Sequence, residues 1–73
     1  MDLIDKINEV LVEGGRTPVA GVSRQTHLKK DLGLDSLELA VLTVKLEAET
    51  GVDVFASGIV NTVGEIEDRL LGR

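Results

Sequence analysis

Asp31-Leu32-Gly33-Leu34-Asp35-Ser36-Leu37-Glu38-Leu39 is the stretch that decides how this chain folds. Gly33 lets the backbone turn sharply, and the residues after it read as the start of a helix. Asp35 suits the N-cap. Glu38, three positions on, suits the residue that reaches back to the cap, so Asp35 to Glu38 reads as a capping box. Ser36 then occupies the first helical position, where a hydroxyl projects away from the bundle. The helix is expected to run to about Thr50 and stop at Gly51. Its apolar residues fall on two stripes, Leu39, Leu42 and Leu46 on one, and Leu37, Ala40, Val41, Val44 and Ala48 on the other. A surface helix needs one apolar stripe, so the second must meet something else.

Upstream, Leu3, Ile4, Ile7, Val10 and Leu11 recur at helical spacing and stop at Gly14-Gly15. Residues 15–34 hold Gly15, Pro18 and Gly21 and show no sustained period. They also carry Val19, Val22, Leu28, Leu32 and Leu34, so this long loop is expected to lie on the core. Ordered loops of that length are often functional. Downstream, Ala56 to Val60 reads as a single helical turn weakened by Gly58. Thr62-Val63-Gly64-Glu65 reads as a second capping box that opens a last amphipathic helix on Val63, Ile66 and Leu70. The predicted fold is all-α: a small four-helix bundle of three main helices and one short one, with a long loop between helices 1 and 2. The whole chain, 1–73, reads as a single domain.

Composition removes several function classes. Eight basic against thirteen acidic residues give a net charge of −5, which argues against nucleic acid as a partner. With no Cys and one His, thiol catalysis and multi-histidine metal sites are excluded. An EF-hand begun at Asp31 fails, because Ser36 and Leu42 stand where glycine and glutamate are needed. The longest apolar run, Leu39 to Leu42, is too short for a membrane span. Met1-Asp2-Leu3-Ile4-Asp5 is acidic where a secretory or transit signal would be basic, so a cytoplasmic protein is expected; an organelle form lacking its transit segment stays open. Seventy-three residues do not enclose a reaction cavity unaided, which favours a binding, carrier or regulatory module over an enzyme.

The Asp31–Leu37 stretch closely resembles the phosphopantetheine attachment site of the acyl carrier protein family, Asp-Leu-Gly-x-Asp-Ser-Leu. The resemblance extends over nearly the whole chain, with the helices and the long loop in family order and spacing. It implies that Ser36 receives 4′-phosphopantetheine from coenzyme A, with Asp35 and Leu37 as the flanking motif. The thiol of the arm would carry acyl groups as thioesters. The resemblance also implies a phosphopantetheinyl transferase and acyl-loading, condensing or acyl-transfer enzymes as partners. Their docking face would comprise Leu37, Glu38, Val41, Val44, Glu47 and Ala48. A monomer is expected, and the chain itself catalyses nothing.

Other readings stand beside this one. A catalytic Ser36 would need a base and a group to orient it; His27 is the only histidine and nothing in the sequence pairs them. His27 reads as an ordinary loop residue and Lys29-Lys30 as a solvated pair, with contact to a partner or to coenzyme phosphates as the minority reading. A peptidyl or aryl carrier usually shows Gly-Gly-x-Ser-Leu/Ile, and Leu34-Asp35 favours the acyl type. An unmodified helical interaction module is the alternative from a different class.

The chain also departs from the family. Val41 and Ala48 occupy positions commonly acidic in members serving fatty-acid synthesis, and Lys29-Lys30 stand where acid is common. The expected consequence is docking by apolar contact more than by charge, as in a specialised carrier, with Val41→Asp expected to weaken transfer and leave the fold intact.

Overall fold

The computed structural model describes residues 2–56 and 58–72. Among them the chain forms three helices and no strand: α1 (Leu3–Glu13), α2 (Ser36–Thr50) and α3 (Val63–Leu70). α1 buries Ile7, Val10 and Leu11, the i, i+3, i+4 spacing of an amphipathic helix, and ends at Gly14 as expected. α2 starts and stops at the expected residues and buries Leu39, Leu42 and Leu46. α3 follows Thr62, whose Oγ1 accepts from the Glu65 amide at 3.2 Å. The reciprocal half of that capping box is displaced by one residue. The Glu65 carboxylate accepts from the Asn61 amide at 3.3 Å. Thr62 itself is drawn into an antiparallel bridge with His27, which fixes the approach of the chain to α3.

The long loop lies on the core, and its ties are specific. The Asn8 side chain donates to the Val19 carbonyl at 3.0 Å and accepts from the Val19 amide at 2.8 Å. The Leu28 amide donates to the Asn61 carbonyl at 2.8 Å, and the Val63 amide to the Thr26 carbonyl at 3.0 Å. Arg24 pairs with Glu67 and Asp68 of α3. Leu28 and Leu34 are buried in the core with residues from all three helices, while Val19, Val22 and Leu32 pack against it half-buried.

The expected helical turn over 56–60 includes Ser57, which lies outside the described residues; the described residues just before it, 54–56, form a turn. The Ala56 amide donates to Asp53 and the Gly58 amide to Phe55, both three residues back. The Asp53 carboxylate accepts from the Phe55 amide at 3.0 Å, a local bond that competes with helix formation. Arg69 of α3 holds this segment from the other side, donating to the Val54 and Gly58 carbonyls at 2.7 Å each. No helix of the described residues is long and apolar enough to cross a membrane.

Candidate functional site

Ser36 is exposed at the first position of α2. Its neighbours are fixed by both bonds of the capping box. The Glu38 amide donates to Asp35 Oδ1 at 2.8 Å, and the Asp35 amide donates to Glu38 Oε1 at 3.1 Å. Leu34 is buried before the cap and Leu37 is 73% exposed after the serine, so the motif crosses from core to surface within one turn. The first amides of α2 have no acceptor within the helix, and together with the helix dipole they favour an anion beside Ser36.

The chain enters this turn through a second small cap. His27 Nδ1 accepts from the Lys29 and Lys30 amides at 3.2 and 3.1 Å, and the Asp31 carboxylate accepts from the His27 amide at 2.6 Å. Gly33, at φ 70°, closes the turn in the left-handed region. His27 therefore shapes the loop ahead of the motif, its Nδ1 taken up by the Lys29 and Lys30 amides.

Arg16 completes the arrangement. Its guanidinium donates to the Leu32 carbonyl at 3.4 Å and to the Gly33 carbonyl, and it pairs with Glu38 Oε1 at 2.9 Å. The Glu38 side chain is only 12% exposed. Its carboxylate is thus committed to the cap and to Arg16. Sequence reading missed Arg16, which gave no sign there beyond the positive charge of the loop.

An open groove of about 390 Å³ is lined by Ser36 and Lys29 and mainly by apolar side chains, among them Leu39, Ala40, Phe55 and Ile59. Ile59 is 77% exposed. An exposed primary hydroxyl beside a slot of this kind suits a flexible arm attached through a phosphate: the helix start favours the anion, and the apolar lining favours the carbon chain.

The outer face of α2 carries Leu37, Val44 and Ala48, all exposed, with Ala40 and Glu47 also exposed beside them. Val41 does not share that exposure. It is half-buried and packs against the core, and it lines a small cleft with Val10 and Glu13 of α1. The charges of α2 lie elsewhere. Lys45 pairs with Glu9 and Glu13 at 3.2 Å each, and Glu49 pairs with Lys6 at 3.1 Å. The hydrogen bond from Lys45 and then that from Lys6 hold Glu9 below the ordinary carboxylate range. The Lys45 ammonium is pushed up, first by Glu13 and then by Glu9. Among the described residues, Glu47 is the one charged group of α2 outside a cap or an ion pair.

Comparison with known proteins agrees with this geometry. The family model for the phosphopantetheine attachment site matches residues 2–70. An acyl carrier protein of Saccharopolyspora erythraea is 33% identical over 72 residues, covering 96% of this chain and 76% of the relative. No solved structure matches the chain. A helix that opens on a capped, outward-facing serine, a loop folded onto the core ahead of it, and a family match over nearly the full length give one conclusion: the chain belongs to the acyl carrier protein family of phosphopantetheine attachment domains.

Proposed function

We propose that Ser36 is the residue that takes 4′-phosphopantetheine, and that the protein, one carrier domain over residues 1–73, presents acyl groups to successive enzymes. The observation that carries this reading is exposed Ser36 at the capped start of α2, lining an apolar groove. In the attachment step the serine oxygen bonds to the coenzyme A phosphorus that bears the pantetheine arm. The bond from that phosphorus to the adenosine bisphosphate breaks, and the hydroxyl proton passes to a base on the transferase. The arm supplies a thiol, which this chain lacks, and holds the acyl group as a thioester. Asp35 and Glu38 hold the serine at the helix start, the first-turn amides face the phosphate, and Lys29, which lines the same groove, adds a positive charge.

Partner enzymes dock on the outer face of α2, through Leu37, Val44 and Ala48, with Val41 and Glu47 at its edges and Glu38 beneath it. The near absence of free charge there supports recognition by apolar contact, as in a carrier serving a specialised acyl, polyketide or modified-lipid route. The same reading makes the protein a cytoplasmic monomer and lets the turn around Phe55 tighten into a short fourth helix; the two turn bonds at Ala56 and Gly58 support that. The test is incubation with coenzyme A and a broad-specificity phosphopantetheinyl transferase, followed by intact mass. A gain of one phosphopantetheinyl group that disappears in Ser36→Ala is expected. An unchanged mass supports an unmodified interaction module instead. Loading of the arm by an amino-acid- or aryl-activating enzyme, and by no acyl-loading enzyme, would mark a peptidyl or aryl carrier.

A further inference from the structure

We infer that Arg16 is a positioning residue for attachment at Ser36, clamping the loop that leads into the serine to the helix that leads out of it. The inference rests on the reading of Ser36 given above. On the incoming side the Arg16 guanidinium donates to the carbonyls of Leu32 and Gly33. On the outgoing side it pairs with Glu38, whose other tie is the Asp35 amide. Among the described residues no other side chain makes polar bonds to both segments. Arg16 is itself well placed for this, because its amide is anchored to the Leu11 carbonyl at 2.8 Å, at the end of α1. A guanidinium fits this double role, being planar, permanently charged and equipped with several N–H donors in a fixed fork. One side chain can therefore serve two carbonyls and a carboxylate together.

The physical consequence lies in pre-organisation. Gly33 is exposed and sits at φ 70°, and a glycine free of restraint samples many conformations. Backbone bonds from the Asp31 and Leu32 amides to His27, from Gly33 to Lys29 and from Leu34 to Leu28 hold the loop from within. Arg16 holds it from outside. Without the clamp, the transferase must select a minor population in which Ser36 stands at the helix start. Apparent affinity then falls by the fraction that is competent, while the chemical step on the bound serine is unchanged.

The experiment uses the full chain, coenzyme A and a broad-specificity transferase, with Arg16→Gln, Arg16→Lys and, as control, Arg24→Gln. The control breaks the pairs with Glu67 and Asp68 on α3 and leaves the loop clamp in place. Far-UV dichroism at the assay temperature first establishes which variants are folded. For Arg16→Gln, KM for the carrier is expected to rise about five- to tenfold with kcat within about twofold. Arg16→Lys, which keeps the charge and loses the fork, falls between it and wild type. Arg24→Gln keeps the wild-type KM. Amide exchange at Leu34 and Asp35 accelerates in Arg16→Gln and that at Leu46 does not. A folded Arg16→Gln with wild-type KM and wild-type exchange overturns the inference, as does an equal rise in KM for Arg24→Gln. If Arg16→Gln fails to fold, Arg16→Lys decides by the same two readouts. A wild-type chain that accepts no phosphopantetheine sinks the assignment of Ser36 instead; the exchange readout still tests the clamp.

Discussion

Gly14 leaves room for the Glu38 carboxylate: a β-carbon at position 14 would overlap Glu38 Oε2. The end of α1 and the cap of α2 are thereby fitted together through one missing methyl group. A flexible glutamate elsewhere would swing aside, but here Oε1 is held by the Asp35 amide and by Arg16. The backbone at Gly14, φ −84°, is ordinary, so alanine there would otherwise stabilise by about 0.4–1 kcal/mol by restricting the unfolded chain. In the wild-type background that gain is expected to be cancelled or reversed. In a Glu38→Ala background Gly14→Ala is expected to stabilise by the full amount. Urea unfolding of the two single variants and the double variant measures the difference; additivity within about 0.3 kcal/mol would contradict the steric fit.

Asp35 is the N-cap of α2, and its carboxylate accepts from the Glu38 amide. Asp35→Ala is expected to lower stability by about 1 kcal/mol, and Asp35→Asn, which keeps an acceptor oxygen, by much less. Chemical denaturation checks both. Modification of Ser36 should follow the same order, Ala slower than Asn, because fraying of the first turn carries the serine with it.

How much of this was legible in the sequence follows from the range of the interactions. The Asp35–Glu38 box and the Leu39, Leu42, Leu46 stripe are written in spacings of three and four residues, and both appear where expected. Arg16 meets Gly33 across seventeen residues of loop, and no local spacing encodes that contact. The second capping box forms only in part: Glu65 accepts from the Asn61 amide, and the loop bonds Leu28–Asn61 and Val63–Thr26 that flank Thr62 are tertiary contacts no local spacing encodes. Val41 belongs to the outer stripe by periodicity, yet it is half-buried and packs against the core. An aspartate at 41 is therefore expected to cost stability as well as to alter the surface, which a urea midpoint for Val41→Asp measures.

The ion pairs between α1 and α2 predict a pH dependence with a definite sign. Lys45 and Lys6 hold Glu9 below its ordinary value. A carboxyl depressed in the folded state contributes stability above its unfolded pKa, and that contribution is lost as pH falls through the folded one. The stabilising effect of Glu9 over Gln is therefore expected to be present at neutral pH and to vanish in acid, below the usual glutamate range. The pairs are exposed, so the effect is small and weakens with salt. Urea midpoints of wild type and Glu9→Gln across the acid range check it; a difference that grows toward low pH would reverse the assignment.

Val44 is 68% exposed on the outer face of α2, one turn beyond Ala40 and away from α1. Its substitution by aspartate costs the isolated protein little, since no core contact is lost. If partners bury this face, the same change removes apolar contact and strands a charge in the interface. Burying a valine is worth about 1.5 kcal/mol or more, so affinity for a cognate acyl-transfer enzyme should fall at least about tenfold in Val44→Asp. Wild-type affinity should change little between low and moderate salt, because few charges on α2 are free to be screened. Glu47→Gln should have a smaller effect than Val44→Asp for the same reason. A steep loss of wild-type binding with salt, together with a Val44→Asp variant that binds normally, would place recognition on charges outside this helix face.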